Sequence, residues 1–152
     1  MIIKRLLLSE LSLLSDYIKH VQFDFDPPLF ERINKRSDVN TIESYALKLL
    51  TKGNVFTFLE QEIIVAIIAI YTNNSNDKEA YIPLLSVKKE FSGKGLATLL
   101  LERASNCAIE NNMKVIYVKT WMGNKNAIAL YKKNGYNIVK NDGFSLTLKK
   151  EI

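Results

Sequence analysis

The 152-residue sequence predicts a mixed α/β domain, and three observations predict it. Apolar residues recur at helical spacing in stretches around Leu14, Tyr45, Leu100 and Leu130, and β-branched runs of strand length lie between them. No internal repeat or low-complexity linker divides the chain, and its length suits one ordinary domain over residues 1–152.

Taken in order, residues 2–8 read as a short apolar strand, and Ser9 is placed to cap a helix carrying Leu11, Leu14, Ile18 and Val21. Pro27 and Pro28 forbid helix interior, so a rim loop is expected there, with Asp26 as cap of a short helix. Thr41 precedes the stripe Ile42, Tyr45, Ala46, Leu49 and Leu50, and Gly53 stops this second main helix. Val55–Leu59 and Ile63–Tyr71 read as a hairpin, and the polar run from Asn73 to Asp77 as the next turn.

Glu79–Val87 forms another strand with Pro83 inside it. Proline cannot donate to a ladder, so this strand must be bulged or unpaired on one side. Residues 93–111 make a long helix with Leu96, Leu100, Ala104, Cys107 and Ala108 inward, and Val115–Val118 is a buried strand. Asn124–Lys133 is a shorter helix stopped by Gly135. Tyr136–Val139 and Phe144–Leu148 close the sheet as a hairpin that turns at Gly143.

Composition narrows the function classes. Hydrophobic residues make up 47% and charged residues 24%, and no stretch approaches the roughly 20 apolar residues of a membrane span, so neither a span nor a membrane partner is expected. Ser9, Glu10 and Ser12 interrupt the apolar N-terminus and no small-residue cleavage site follows, so no signal peptide is read and the cytoplasm is expected. Cys107 is the single cysteine and His20 the single histidine, too few for a disulfide or a structural zinc, so no metal is expected. The net charge of +5 suits an anionic ligand, but the lysines are scattered and form no nucleic-acid motif.

The run from Val87 to Ala97 leaves a strand and enters a helix through Gly93 and Gly95. Such a turn gathers backbone N–H groups at the positive end of a helix, and the missing Cβ atoms allow phosphate oxygens to approach. Lys94 is followed by Gly95 rather than Ser or Thr, which removes a nucleoside-triphosphate loop. Thr98 and Lys119 stand where a dinucleotide site needs a small and an acidic residue.

At these residues the chain resembles the GCN5-related N-acetyltransferase (GNAT) superfamily. Its cofactor loop runs Gln or Arg, two residues, Gly, one residue, Gly or Ala; Ser92, Gly95 and Ala97 occupy those places, with Ser92 departing from the long polar side chain. About thirty residues on, the family pattern of Asn, two residues, Ala, three residues, Tyr, three residues, Gly and an aromatic is matched by Asn124, Ala127, Tyr131, Gly135 and Tyr136.

The resemblance implies a twisted, mostly antiparallel sheet of six or seven strands with a central splayed parallel pair, flanked by about four helices. It implies acetyl-CoA as cosubstrate and transfer of the acetyl group to a primary amine of a small molecule, by a monomer or homodimer. Pantetheine would pair with the strand edge at Leu85, Ser86 and Val87. Pyrophosphate would sit on Ser92, Gly93, Lys94, Gly95, Leu96 and Ala97, with Asn124 and Ala127 anchoring the cofactor or its loop.

Tyr131 matches the tyrosine that reaches the CoA sulfur as general acid. Reference values near 10 for tyrosine and 8.5 for a thiol make full proton transfer uphill by about 2 kcal/mol, so a hydrogen bond to the developing thiolate describes the step better. Glu79 is the candidate base, with Tyr81 or a water chain as the alternatives. Lys94 and Lys133 are candidate phosphate contacts.

For the acceptor, Phe23, Asp24, Phe25, Asp26, Pro27 and Pro28 admit two readings, a pocket for a cationic amine or a hydrophobic staple with a helix cap. Trp121 and Met122 are a second candidate wall. A further resemblance, to acetyltransferases encoded beside sugar-biosynthesis enzymes, implies an amino sugar. Two rival classes remain distinct: a catalytically silent acetyl-CoA sensor would bind without turnover, and a basic nucleic-acid-binding module would bind with steep salt dependence.

Overall fold

Seven strands form one sheet in the computed structural model, which describes residues 1–25, 28, 29, 31 and 41–152. Asp26 and Pro27, and with them the expected cap, lie outside the described residues. The elements are β1 (Ile3–Arg5), α1 (Leu11–Val21), α2 (Ile42–Lys52), β2 (Asn54–Glu60), β3 (Ile63–Asn74) and β4 (Glu79–Val87), then α3 (Leu96–Glu110), β5 (Val115–Trp121), α4 (Lys125–Lys133), β6 (Asn137–Asn141) and β7 (Ser145–Glu151). The strand order is β1-β2-β3-β4-β5-β7-β6, antiparallel at every junction except β4–β5. That parallel pair requires a crossover, which α3 supplies.

Two elements begin differently from expectation. The first strand ends at Arg5, and Leu8–Glu10 is a 3₁₀ turn, so Ser9 sits inside the turn and caps nothing. Glu10 takes the capping role instead: its Oε1 accepts the Leu7 amide at 2.9 Å, and its other oxygen pairs with Lys4 at 2.6 Å. The long helix starts at Leu96 rather than residue 93, because Gly93 and Gly95 both adopt positive φ, +76° and +79°, outside the right-handed helical region. Thr41 does cap α2, accepting the Ser44 amide at 3.0 Å, and the Gly53 amide closes its last turn on Leu49.

The sheet has a core on each face. On one, α3 presents Leu100, Leu101, Ala104 and Cys107 to Ala66, Ile68, Ile70, Ala80 and Ile82. On the other, Leu14, Ile18, Tyr45 and Leu49 from α1 and α2 cover Ile67, Ala69 and Leu84. Burying each such leucine or isoleucine contributes about 1.5–3 kcal/mol, which is what fixes the helices to the sheet.

The position of Ala80 and Ile82 on one face and Leu84 on the other breaks the two-residue alternation of a strand. Register explains it. Ala69 pairs with Leu84 and Tyr71 with Tyr81, so Ile82 and Pro83 together oppose Ile70 alone, a β-bulge centred on the proline. On its other side β4 pairs with β5 only from Glu79 to Ile82. Beyond Pro83 the two parallel strands separate, and the opening they leave positions the site. Among the described residues no helix is long and apolar enough to cross a membrane.

Candidate active site

The separated strands, the glycine turn and α4 enclose a cleft of about 720 Å³. Its first wall is the turn. A Cβ built at Gly93 or Gly95 would meet nothing within 4 Å, so the space above both glycines is open. The first helical backbone bond runs from the Leu99 amide to the Gly95 carbonyl at 3.2 Å, which leaves the amides of Leu96, Ala97 and Thr98 ahead of the ladder. These donors stand at the positive end of a 15-residue helix, an arrangement that binds phosphate.

The second wall is β4 beyond the bulge. Lys88 donates its amide to the Val65 carbonyl at 2.9 Å, and in an antiparallel pair the groups of successive residues alternate sides. Ser86 and Leu84 therefore turn their backbone groups to β3. Val87 and Leu85 turn theirs to the edge that β5 has left, where an extended chain can pair with them. Ser86 is held from below: its hydroxyl and that of Tyr17 on α1 lie 2.9 Å apart in a buried bond, and burial pushes Tyr17 up to about 12, so that phenol stays neutral. Nothing in the pattern around Tyr17 marked it as a support for this edge.

The third wall is α4. Asn124 is its N-cap, accepting the Ala127 amide at 3.3 Å and donating to Thr120 at 3.4 Å. Tyr131 is buried on the inward face, with its ring edge-on to Tyr136 at 5.6 Å between centroids. Burial, and then the neighbouring Tyr81, raise its phenol well above the ordinary tyrosine value. The group is a neutral donor, not a phenolate.

Leu85, Ser86, Val87, Ser92, Gly93, Gly95, Leu96, Ala97, Asn124, Ala127 and Tyr131 all line this one cleft, and Trp121, Asp24 and Phe25 line it too. Lys94 does not; its ammonium lies 5.1 Å over the Phe91 ring. Met122, Lys133 and the largely exposed Phe23 are likewise outside the lining. Phe91 and Leu130 belong to the lining without having been named as candidate site residues, and Thr98, read only as a departure from a dinucleotide site, lines it too; each neighbours a motif residue in sequence, which was the available signal.

Glu79 is placed elsewhere. It lines a second cavity of about 810 Å³ together with Lys48, Lys52, Tyr71, Tyr81, Tyr117 and Thr147. Among the described residues Pro83 alone lines both cavities, so the bulge borders each of them.

Solved structures share this architecture. A probable acetyltransferase from Staphylococcus epidermidis superposes with a TM-score of 0.77 at 16% identity, covering 99% of this chain and 98% of that one. The PaiA N-acetyltransferase of Thermoplasma acidophilum, solved with coenzyme A, gives 0.74 at 16% identity over 100% of both chains. A GNAT acetyltransferase of Elizabethkingia anophelis with acetyl-CoA bound gives 0.59 at 18%, covering 69% of this chain and 80% of that one. At such identities these show the fold. A protein of Bacillus subtilis, YxbD, is 36% identical over 55 residues, a match spanning 36% of this chain and only 35% of that relative. Residues 18–136 match the family model described as Acetyltransferase (GNAT) family, and the chain belongs to that family.

Proposed function

We propose that the protein transfers an acetyl group directly from acetyl-CoA to a primary amine of a small molecule. The observation that carries this reading is the convergence, in one cleft, of a glycine-built anion cradle, the freed edge of β4 and a neutral buried phenol. The solved relatives with coenzyme A or acetyl-CoA support it. Bound acetyl-CoA supplies an activated acyl carbon and a sulfur leaving group.

The residues fit that group. Amides ahead of the α3 ladder would take the pyrophosphate, and the Leu85 and Val87 edge would pair with pantetheine. One of those edge amides, fixed in direction by β3 behind it, polarises the carbonyl oxygen. Tyr131 donates to the departing sulfur; its raised pKa makes complete proton transfer still less favourable, which leaves a hydrogen bond as its contribution. Glu79 stands four residues before Pro83, roughly 13 Å along the strand, and so takes the amine's proton through water rather than by contact. An amino sugar is one acceptor of the proposed kind, and a cytoplasmic monomer or homodimer acting without metal, membrane or nucleic acid completes the reading.

The test is release of free thiol from acetyl-CoA across a panel of amines. Amine-dependent release with matching N-acetyl product is expected. Tight acetyl-CoA binding without release from any amine would favour the silent sensor.

A further inference from the structure

The cleft draws its walls from both faces of the sheet. The glycine turn opens α3, which packs on one face. Asp24 ends the 3₁₀ turn Gln22–Asp24 that follows α1, and its neighbour Phe25 packs against the core on the other face. Both residues nevertheless line the cleft, because β4 and β5 have parted there. Trp121 joins them from β5. Ile116 and Val118 face α3, and the pairing of β5 with β7 runs without a shift, so strand alternation turns Trp121 to the α1 face. The phosphate cradle and the group formed by Asp24 and Trp121 therefore belong to opposite faces.

Among the described residues, Asp24 and Lys119 are the charged side chains lining the cleft. The Lys119 ammonium lies 3.9 Å from the Asp142 carboxylate, whereas no ion pair among the described residues takes Asp24. Lys88 comes near, its ammonium 5.9 Å from the centroid of the Tyr17 ring, but it neither pairs with Asp24 nor lines the cleft. After burial, the Asp24 charge is what raises the Tyr17 phenol, which places this carboxylate close to the hydroxyl that meets Ser86 on the β4 edge. Trp121 is 45% exposed, and its ring rests on Gly123. A Cβ there would stand 2.2 Å from the indole Cη2 and 2.4 Å from Cζ3, so glycine is what leaves the ring its place.

A nitrogen that attacks a thioester must be neutral, whereas a carboxylate beside an amine favours its charged form. Asp24 is thus suited to a cation other than the reacting amine, and an indole face attracts cations as well. Resting on the acetyltransferase reading above, we propose that the acceptor approaches from the α1 face and carries a second, cationic group, held by the Asp24 carboxylate and the Trp121 ring. Its neutral amino nitrogen reaches the thioester through the opening between β4 and β5.

Amines of similar shape that differ in the second charge test this: (2-aminoethyl)trimethylammonium against 3,3-dimethylbutylamine, and 1,4-diaminobutane against 4-aminobutan-1-ol. In the whole chain, the cationic member of at least one pair is expected to have a kcat/KM at least tenfold above its neutral partner. Asp24→Asn should bring that ratio near one, with the loss falling on KM for the cationic amine, and Asp24→Glu should keep part of the preference. Trp121→Leu should lower the ratio, and Trp121→Phe should retain it.

Neutral partners used as well as cationic ones in both pairs would overturn the proposal. So would a ratio untouched by Asp24→Asn or by Trp121→Leu in variants that still bind acetyl-CoA by calorimetry. No turnover with either pair, in a preparation that binds acetyl-CoA, would also overturn it and leave the cleft assignment standing. A parent protein that does not bind acetyl-CoA would remove the reading beneath the proposal, and the proposal with it.

Discussion

Tyr131 fills the inward face of α4 and lines the cleft, and the proposed function adds a second, separable duty, a hydroxyl donated to the departing sulfur. Tyr131→Phe keeps the ring and its edge-on contact with Tyr136, so melting temperature and acetyl-CoA affinity should change little. The turnover number should fall by roughly 10² to 10⁴, the usual worth of general acid catalysis. Near-normal turnover with a lowered melting point would reduce the residue to a packing role. Because its pKa is raised, the hydroxyl keeps its proton through neutral and mildly alkaline conditions, so an alkaline limb in kcat at those pH values belongs to another group.

At this scale the sequence was informative unevenly. Gly93 and Gly95 stood out because two glycines between a strand and a helix mark a tight turn, and both adopt positive φ; Asn124 and Tyr131 stood out only through the family motif, and that Asn124 caps α4 while Tyr131 packs inward is what the structure adds. Glu79 was named as candidate base from the family resemblance, and a likeness along the chain does not say which of two cavities a strand residue faces.

Among the elements, α4 is short, nine residues, and depends on its ends. Asn124→Ala removes the side-chain acceptor for the Ala127 amide and should cost about 1 kcal/mol in denaturant unfolding, while Asn124→Ser, which can still cap, should recover most of it. Equal losses for both variants would mean that Asn124 acts through something other than the cap.

The β6–β7 turn makes a different prediction. The Asp142 carboxylate accepts the amides of Ser145 and Phe144 at 2.8 and 2.9 Å and the Ser145 hydroxyl at 3.0 Å, and these bonds hold it down at about 2. A lowered carboxylate contributes stability above its unfolded value, and that contribution is lost as pH falls through the folded value. Acid unfolding between pH 4 and 2 should therefore be less steep in Asp142→Asn than in the parent. Identical acid profiles would show that the turn's bonds do not distinguish the two protonation states.

The bulge was the most legible irregularity, because Pro83 breaks the ladder by covalent structure alone. The 3₁₀ turn at Leu8–Glu10 was not legible. Its outcome turns on Glu10 reaching both the Leu7 amide and Lys4, a competition that periodicity does not register.

For the molecule as a whole, the two cores hold the sheet from both faces while the strand pair at its centre is left open, so packed structure surrounds the opening between β4 and β5. The mixed α/β class and strand sequence followed from patterning. The second cavity did not, since α2, β3, β4, β5 and β7 contribute to it from distant parts of the chain and only pairing register brings its tyrosines into a row.

The central claim is that the turn at residues 92–97 cradles the phosphates of acetyl-CoA, and calorimetric titration of acetyl-CoA into Gly95→Asn and Gly95→Glu tests it most directly. Both variants carry a Cβ at a positive-φ position, where asparagine is the better tolerated, and both have open space above the residue. Backbone strain alone should lower the melting temperature of both and weaken binding only modestly in the asparagine variant. In the glutamate variant a carboxylate enters the anion cradle, so binding should be lost while circular dichroism still reports a folded protein. Parental acetyl-CoA affinity in folded Gly95→Glu would contradict the claim and place the cofactor's phosphates elsewhere.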